Sequence, residues 1–282
     1  MTFITSVTEE LKRCTGTDVS GYHRGLVERR IAARMRRLGV VDTQGYLELL
    51  RAGLGECQEL LDTIAINISW FFRNPTTYDE LREAVIPPLL ARKKAGEDRL
   101  FRAWSAGCAG GEEAYSVAIL LHQLLKGEWD RWRVLIFGSD LDAQALARGR
   151  RGIYDRAAFR DTTLGILDTY FEETGDRFSV RPVIRRLVSF SKHDLTRQGA
   201  GAPSDSVFAG FDLVLCRNVL IYLEPEVQAK VLARLRQALA SGGILVLGEA
   251  EAPDPATART LQTVDAIHRI YRARGRAPHR EV

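Results

Sequence analysis

The sequence predicts an α/β fold: a doubly wound, mostly parallel sheet with a small N-terminal all-α domain and a small β insertion. Three observations carry that expectation. From residue 100 onward, short β-type runs alternate with helical ones, the pattern of a parallel sheet covered by helices on both faces. Before residue 75, apolar positions recur every three or four residues and glycines end the runs, as in amphipathic helices. The chain has 282 residues, 45% of them hydrophobic, enough for one large core or two modest ones.

Within residues 1–75, VTEELKRCTG, GLVERRIAARMRRLG and TQGYLELLRAG read as helices of an N-terminal domain. YDELREAVIPPLLARKKAGEDR follows. Pro87 and Pro88 break its period and its end is charged, so residues 76–99 read as a linker. The second domain spans 100–282. It opens with LFRAWSAG as a strand, a glycine turn, EEAYSVAILLHQLLKG as a helix, RVLIFGSD as a strand and DAQALARGRRG as a helix. TYFEETGDRFSVRPVIRRLVSF carries turn signals without helical period, which places a β insertion at about 161–190. LVSFSKHDL, FDLVLCRN and GGILVLGE are further strands, and EVQAKVLARLRQALA is the helix before the last of them.

Composition narrows the function. A net charge of +4 is too small to imply nucleic-acid binding by itself. Cys14, Cys57, Cys108 and Cys216 form no CxxC pair, which argues against zinc and against a disulfide framework, and for a reducing cytoplasm. His23, His122, His193, His268 and His279 lack metal-ligand spacing, so no metal is expected. The opening MTFITSVTEELKR has no signal-peptide pattern. No run nears the roughly 20 apolar residues of a membrane span, so membrane insertion is not expected.

The turn SAGCAGGEE, at the carboxyl end of the first predicted strand, should face a ligand. Its glycines, Gly107, Gly110 and Gly111, do not follow GxGxxG, and they would let a ligand approach the backbone. Charge decides more. A pyrophosphate beside Glu112 and Glu113 would meet like charge in a partly desolvated pocket, whereas a cation would be welcome. S-adenosylmethionine, with an ammonium, a sulfonium and no phosphate, fits. Asp140, ending the next strand, could accept from both ribose hydroxyls. The competing reading leaves the two glutamates as first-turn acids that complement a helix dipole.

Four separated motifs now occur in order: INISWFFRNP (66–75), WSAGCAGGEEAYS (104–116), GSDLDAQALARGRRGIY (138–154) and FDLVLCRNVLIYL (211–223). Together they resemble the chemotaxis-receptor methyltransferases, the CheR family, over nearly the whole chain. The resemblance implies a class I methyltransferase-like fold and S-adenosylmethionine-dependent methylation of chemoreceptor glutamates, with S-adenosylhomocysteine as product. It also implies donor contacts from Asn67, Ser69, Arg73, Glu112, Asp140, Asp194, Leu195, Arg217 and Asn218. Ser69 stands where Thr is frequent, Ala114 where Pro is usual and Asp194 where Asn is frequent.

Methyl transfer to a carboxylate that is already ionised needs no general base, so catalysis should be positional. Arg73 is the candidate for steering the acceptor carboxylate, and Tyr222 for lying beside the reacting methyl. Trp70, Phe71 and Phe72 read as packing residues. In HRGLVERRIAARMRRL (23–38), six arginines face one acid. Val27, Ile31, Met35 and Leu38 should bury one side, with Arg30, Arg34 and Arg37 forming a neighbouring substrate-binding stripe. The resemblance implies its partner, the cytoplasmic helical bundle of a chemoreceptor, met by a monomer. Nucleic acid is not expected, since no aromatic residues interleave the arginines. The turn ETGDRFSV looks too short for tethering a receptor tail. The alternatives are a regulatory module that binds donor without turnover and a methyltransferase for another substrate.

Overall fold

The structure, a computed structural model, describes residues 2–65, 68–197, 202–203 and 210–275. Four helices open the chain: α1 (Phe3–Thr15), α2 (Arg24–Leu38), α3 (Thr43–Ala52) and α4 (Leu54–Ile64). Thr2 caps α1 and Asp42 caps α3 by accepting backbone N–H bonds. Gly16 and Gly39 end α1 and α2 in the left-handed conformation that glycine adopts without penalty. Their apolar faces meet in one core that includes Val7, Leu11, Val27, Ile31, Leu50, Leu60 and Leu61.

Residues 76–99, expected as a linker, are mostly helix. The helix α5 (Pro75–Glu80) runs through a π-turn at Leu81–Val85 into α6 (Ile86–Ala95). Tyr78, Leu81, Val85, Ile86 and Leu89 are buried in the core on one face of the main sheet. The two prolines directly follow the π-turn at the start of α6, and the helix continues through them instead of stopping. The segment therefore belongs to the second domain.

The main sheet comprises β1 (Leu100–Ala106), β2 (Arg133–Asp140), β6 (Val188–Lys192), β7 (Phe211–Cys216), β8 (Leu239–Leu247), β9 (Leu261–Asp265) and β10 (Ile270–Ala273), in the order β6-β2-β1-β7-β8-β10-β9. β10 runs antiparallel to both of its neighbours; the other pairings are parallel. Residues alternate between faces. In β7, Leu213 and Leu215 enter the core with α5, α6 and α7 (Glu112–Leu124), while Val214 and Cys216 enter the core with α11 (Pro225–Ala238). The doubly wound expectation is met, and β1 and β7 form the switch point where chain order reverses.

The insertion starts earlier than expected. After α8 (Ala143–Arg151), β3 (Ile153–Asp155) joins β4 (Phe171–Thr174) and β5 (Arg177–Val180) in an antiparallel sheet ordered β3-β5-β4. A short helix, α9 (Leu164–Tyr170), lies between β3 and β4, and another, α10 (Pro182–Arg185), follows β5. The IY that ends the third motif thus opens an edge strand, Ile153–Asp155, too short to signal itself in the sequence.

Candidate active site

A cleft open to solvent lies at the carboxyl ends of β1, β2, β6 and β7. Ser69, Arg73, Asp140, Asp194, Leu195, Arg217, Asn218 and Tyr222 all line it, so eight of the expected site residues meet in one place. Asn67 lies outside the described residues. Glu112 is not in the cleft wall; Glu113 is.

The glycine turn owes its sequence to packing. At Gly107 (φ 77°) an added Cβ would come within 2.4 Å of Val219, and at Gly111 (φ 91°) within 2.6 Å of Phe190. Close approach of neighbouring side chains, more than of a ligand, demands glycine there. The turn is pinned to β2: Gly107 and Cys108 donate N–H bonds to the Ser139 carbonyl, and Ala109 donates to Asp140 Oδ2 at 2.8 Å. Asp140 Oδ1 also accepts from Asp142 N–H. Burial raises the Asp140 pKa, and these backbone bonds oppose the rise.

The two glutamates part company. Glu113 is buried and engaged, accepting from Ser105 Oγ at 2.7 Å and facing Arg217 Nη1 at 3.5 Å. Glu112 is buried with Oε2 unpartnered. Burial is the largest influence and pushes its pKa up to about 7, against the pull of Arg148 and the Ser69 hydroxyl. A buried, under-satisfied carboxylate at the head of α7, beside Ser69, suits a cationic donor far better than a phosphate.

Arg217 braces the site. Its Nη2 donates to the Arg73 carbonyl at 3.0 Å and to Asn74 Oδ1 at 2.8 Å, while its Cζ lies 5.7 Å from the Tyr78 ring centre. Asn218 follows in the left-handed conformation (φ 59°). Glu251, which sequence reading missed, holds this loop. Its buried carboxylate accepts backbone N–H bonds from Asn218 (3.1 Å), Val219 (2.8 Å), Leu220 (2.7 Å), Ile221 (3.4 Å) and Gly248 (2.6 Å). The only signal available was an acid soon after a strand, in GEAEAPD. Asp194 turns inward on its own chain, accepting from the N–H and Oγ1 of Thr196.

Arg73 donates Nη1 to the Ile68 carbonyl at 3.1 Å and lies over the Trp70 ring at 4.4 Å. Burial, then the nearby Arg217, lowers its pKa from the ordinary arginine value. Trp70 bonds Asp161 Oδ2 and is also covered by Arg160 at 3.2 Å, so it serves as a platform for cations as well as packing. Tyr222 sits in a 3-10 turn, Leu220–Tyr222, and also lines a second groove with His23, Leu26, Arg29, Arg30 and Ile221.

The arginine stripe needs correction. Arg34 is buried, held bidentately by Glu56 (2.9 and 2.7 Å) and approached by Glu59 at 3.2 Å. The inward face of α2 is Leu26, Val27, Ile31 and Arg34, while Leu38 is 40% exposed. Two acids on α4 give the guanidinium a paired seat inside, which no periodicity reveals. Arg30 borders the Tyr222 groove and Arg37 is exposed. Among the described residues, Glu80, Asp265 and His268 place ligand-type atoms within 4.8 Å of one another. They lie outside the cleft wall, and His268 already bonds Asp265 at 2.9 Å.

Two family models match this architecture: the CheR methyltransferase SAM-binding domain over residues 67–268 and the CheR methyltransferase all-alpha domain over 4–65. The chain belongs to the CheR methyltransferase family. One relative, the chemotaxis protein methyltransferase of Escherichia coli (strain K12), is 33% identical over 84% of this chain and 79% of its own. A probable biofilm formation methyltransferase of Pseudomonas aeruginosa, WspC, is 31% identical over 86% of this chain and 55% of its own. An uncharacterized 104.1 kDa protein of Rhodobacter capsulatus is 36% identical over 89% of this chain, which spans only 25% of that protein. The boundary between the two CheR units falls at the end of α4. No helix among the described residues is long and apolar enough to cross a membrane.

Proposed function

We propose that this chain is a protein-glutamate O-methyltransferase that uses S-adenosylmethionine to modify the cytoplasmic helical bundle of chemoreceptors, acting as a cytoplasmic monomer. One observation carries the reading. Tyr222 belongs to two adjoining spaces, the acid-lined cleft and the groove of His23, Arg29 and Arg30. A cationic donor suits the first and an acidic helix suits the second, so the two reactants meet at one side chain. The names of the E. coli and P. aeruginosa relatives tie the family to chemotaxis and to biofilm formation, and the reading holds for a receptor of either output.

When bound, S-adenosylmethionine supplies an electrophilic methyl group on a sulfonium. Asp140 and Asp194 would hold the nucleoside end, and Glu112, behind Ser69 of the cleft wall, would favour the positive charge of the amino-acid end. A glutamate side chain with an ordinary pKa of about 4.3 arrives ionised. Arg73 has one N–H committed to Ile68, and the rest of its fork orients the carboxylate. That hold must stay loose in the ground state, because a tight ion pair would blunt the nucleophile. Tyr222, which lines the cleft, would offer its ring to the positive charge, and Val219 and Leu223 in the cleft wall would exclude water.

The test is transfer of labelled methyl to receptor cytoplasmic fragments, released as methanol by mild base. Arg73→Ala should lower turnover by about 100-fold or more while donor affinity stays within roughly threefold. Equal loss of both would reassign Arg73 to the donor. Donor binding by the unaltered protein without labelling of any glutamate would favour the regulatory module.

A further inference from the structure

We infer that Tyr22, supplied by the N-terminal helical domain, is a donor-binding residue whose hydroxyl bonds the nucleoside part of S-adenosylmethionine while its ring closes that end of the cleft. The inference rests on the donor reading and is independent of the acceptor. Tyr22 lines the cleft although it precedes α2, and its ring packs against both the α1–α4 core and the α11-side core of the sheet. The backbone fixes it there. Tyr22 forms an antiparallel bridge with Leu223, His23 N–H donates to the Tyr222 carbonyl at 2.9 Å, and Glu224 N–H donates to the Gly21 carbonyl at 2.9 Å. Gly21 permits this approach, since a Cβ there would stand 3.1 Å from Val227.

The Tyr22 hydroxyl has no hydrogen-bond partner among the described residues. Burial, then the negative charges of Asp140 and Asp194, raises its pKa, so it stays a neutral O–H at any physiological pH. The two carboxylates can only accept, and they suit ribose hydroxyls and an amino group. A nucleoside also presents ring nitrogens and ribose oxygens that only accept, and the phenol is a donor close to Asp140 and Asp194 that could meet one of them. A tyrosine placed only for packing would not need to line the cleft as well.

Calorimetric titration with S-adenosylhomocysteine tests the inference, alongside thermal unfolding of the ligand-free proteins. Tyr22→Phe keeps the ring and should leave the ligand-free melting temperature unchanged while weakening binding roughly three- to tenfold, the usual effect of one lost hydrogen bond. Tyr22→Ala should weaken binding further. Unaltered protein that binds with Tyr22→Phe binding equally well overturns this inference alone. Failure of the unaltered protein to bind S-adenosylhomocysteine overturns the donor reading with it.

Discussion

Glu112 is the side chain at which burial and ligand charge oppose each other most directly. Its carboxyl would ordinarily release its proton at 4.5, but in the fold does so at about 7. The folded state therefore holds that proton more tightly than the unfolded chain. This contribution to stability is full below pH 4.5 and is lost as pH rises toward 7. A cationic donor reverses the preference, because it favours the ionised form. S-adenosylmethionine affinity should rise from pH 6 to pH 8 and, in Glu112→Gln, become nearly flat over that interval; calorimetry at four pH values checks it. The sequence made the acid pair legible by its place after a strand and a glycine turn. It could not say which acid would be spent on Arg217, because that pairing joins residues 113 and 217 through tertiary packing. Glu251 was hidden for the same reason: its five backbone donors come from loops brought together only by β7 and β8.

Helix α2 shows where period alone misleads. Apolar spacing located the helix and its glycine stop, yet the inward stripe includes an arginine, since Glu56 and Glu59 of α4 offer it a buried seat. Removing one partner of such a pair leaves a buried charge uncompensated. Arg34→Ala should destabilise the protein by about 3 kcal/mol, whereas Arg37→Ala, on an exposed residue, should stay within about 0.5 kcal/mol; urea unfolding measures both. The strand–helix alternation was readable because parallel strands buried on both faces are short apolar runs. The misread linker came from treating Pro87 and Pro88 as a stop, when they sit where a new helical turn begins.

At the scale of the molecule, the N-terminal helices and the sheet domain meet through side chains and backbone alike. Gln144 donates to Asp62 Oδ2 across this boundary, and residues 21–24 bond to 222–224. Because the cleft wall draws on both domains, donor occupancy should fasten them together. Adding S-adenosylhomocysteine at 100 times its Kd should stabilise the whole chain by about 2.7 kcal/mol. Amide exchange should slow at residues 21–24 as well as around the glycine turn, and protection confined to the sheet domain would contradict the shared wall. The π-turn at Leu81–Val85 carries a last consequence. A π-turn adds one residue to the helical register, so every side chain beyond it is rotated by about 100° relative to an unbroken α-helix. That offset sets which way the buried Leu89 and Leu90 point. Lineages that shorten this segment by a single codon would have to rebuild the sheet's covering face to match.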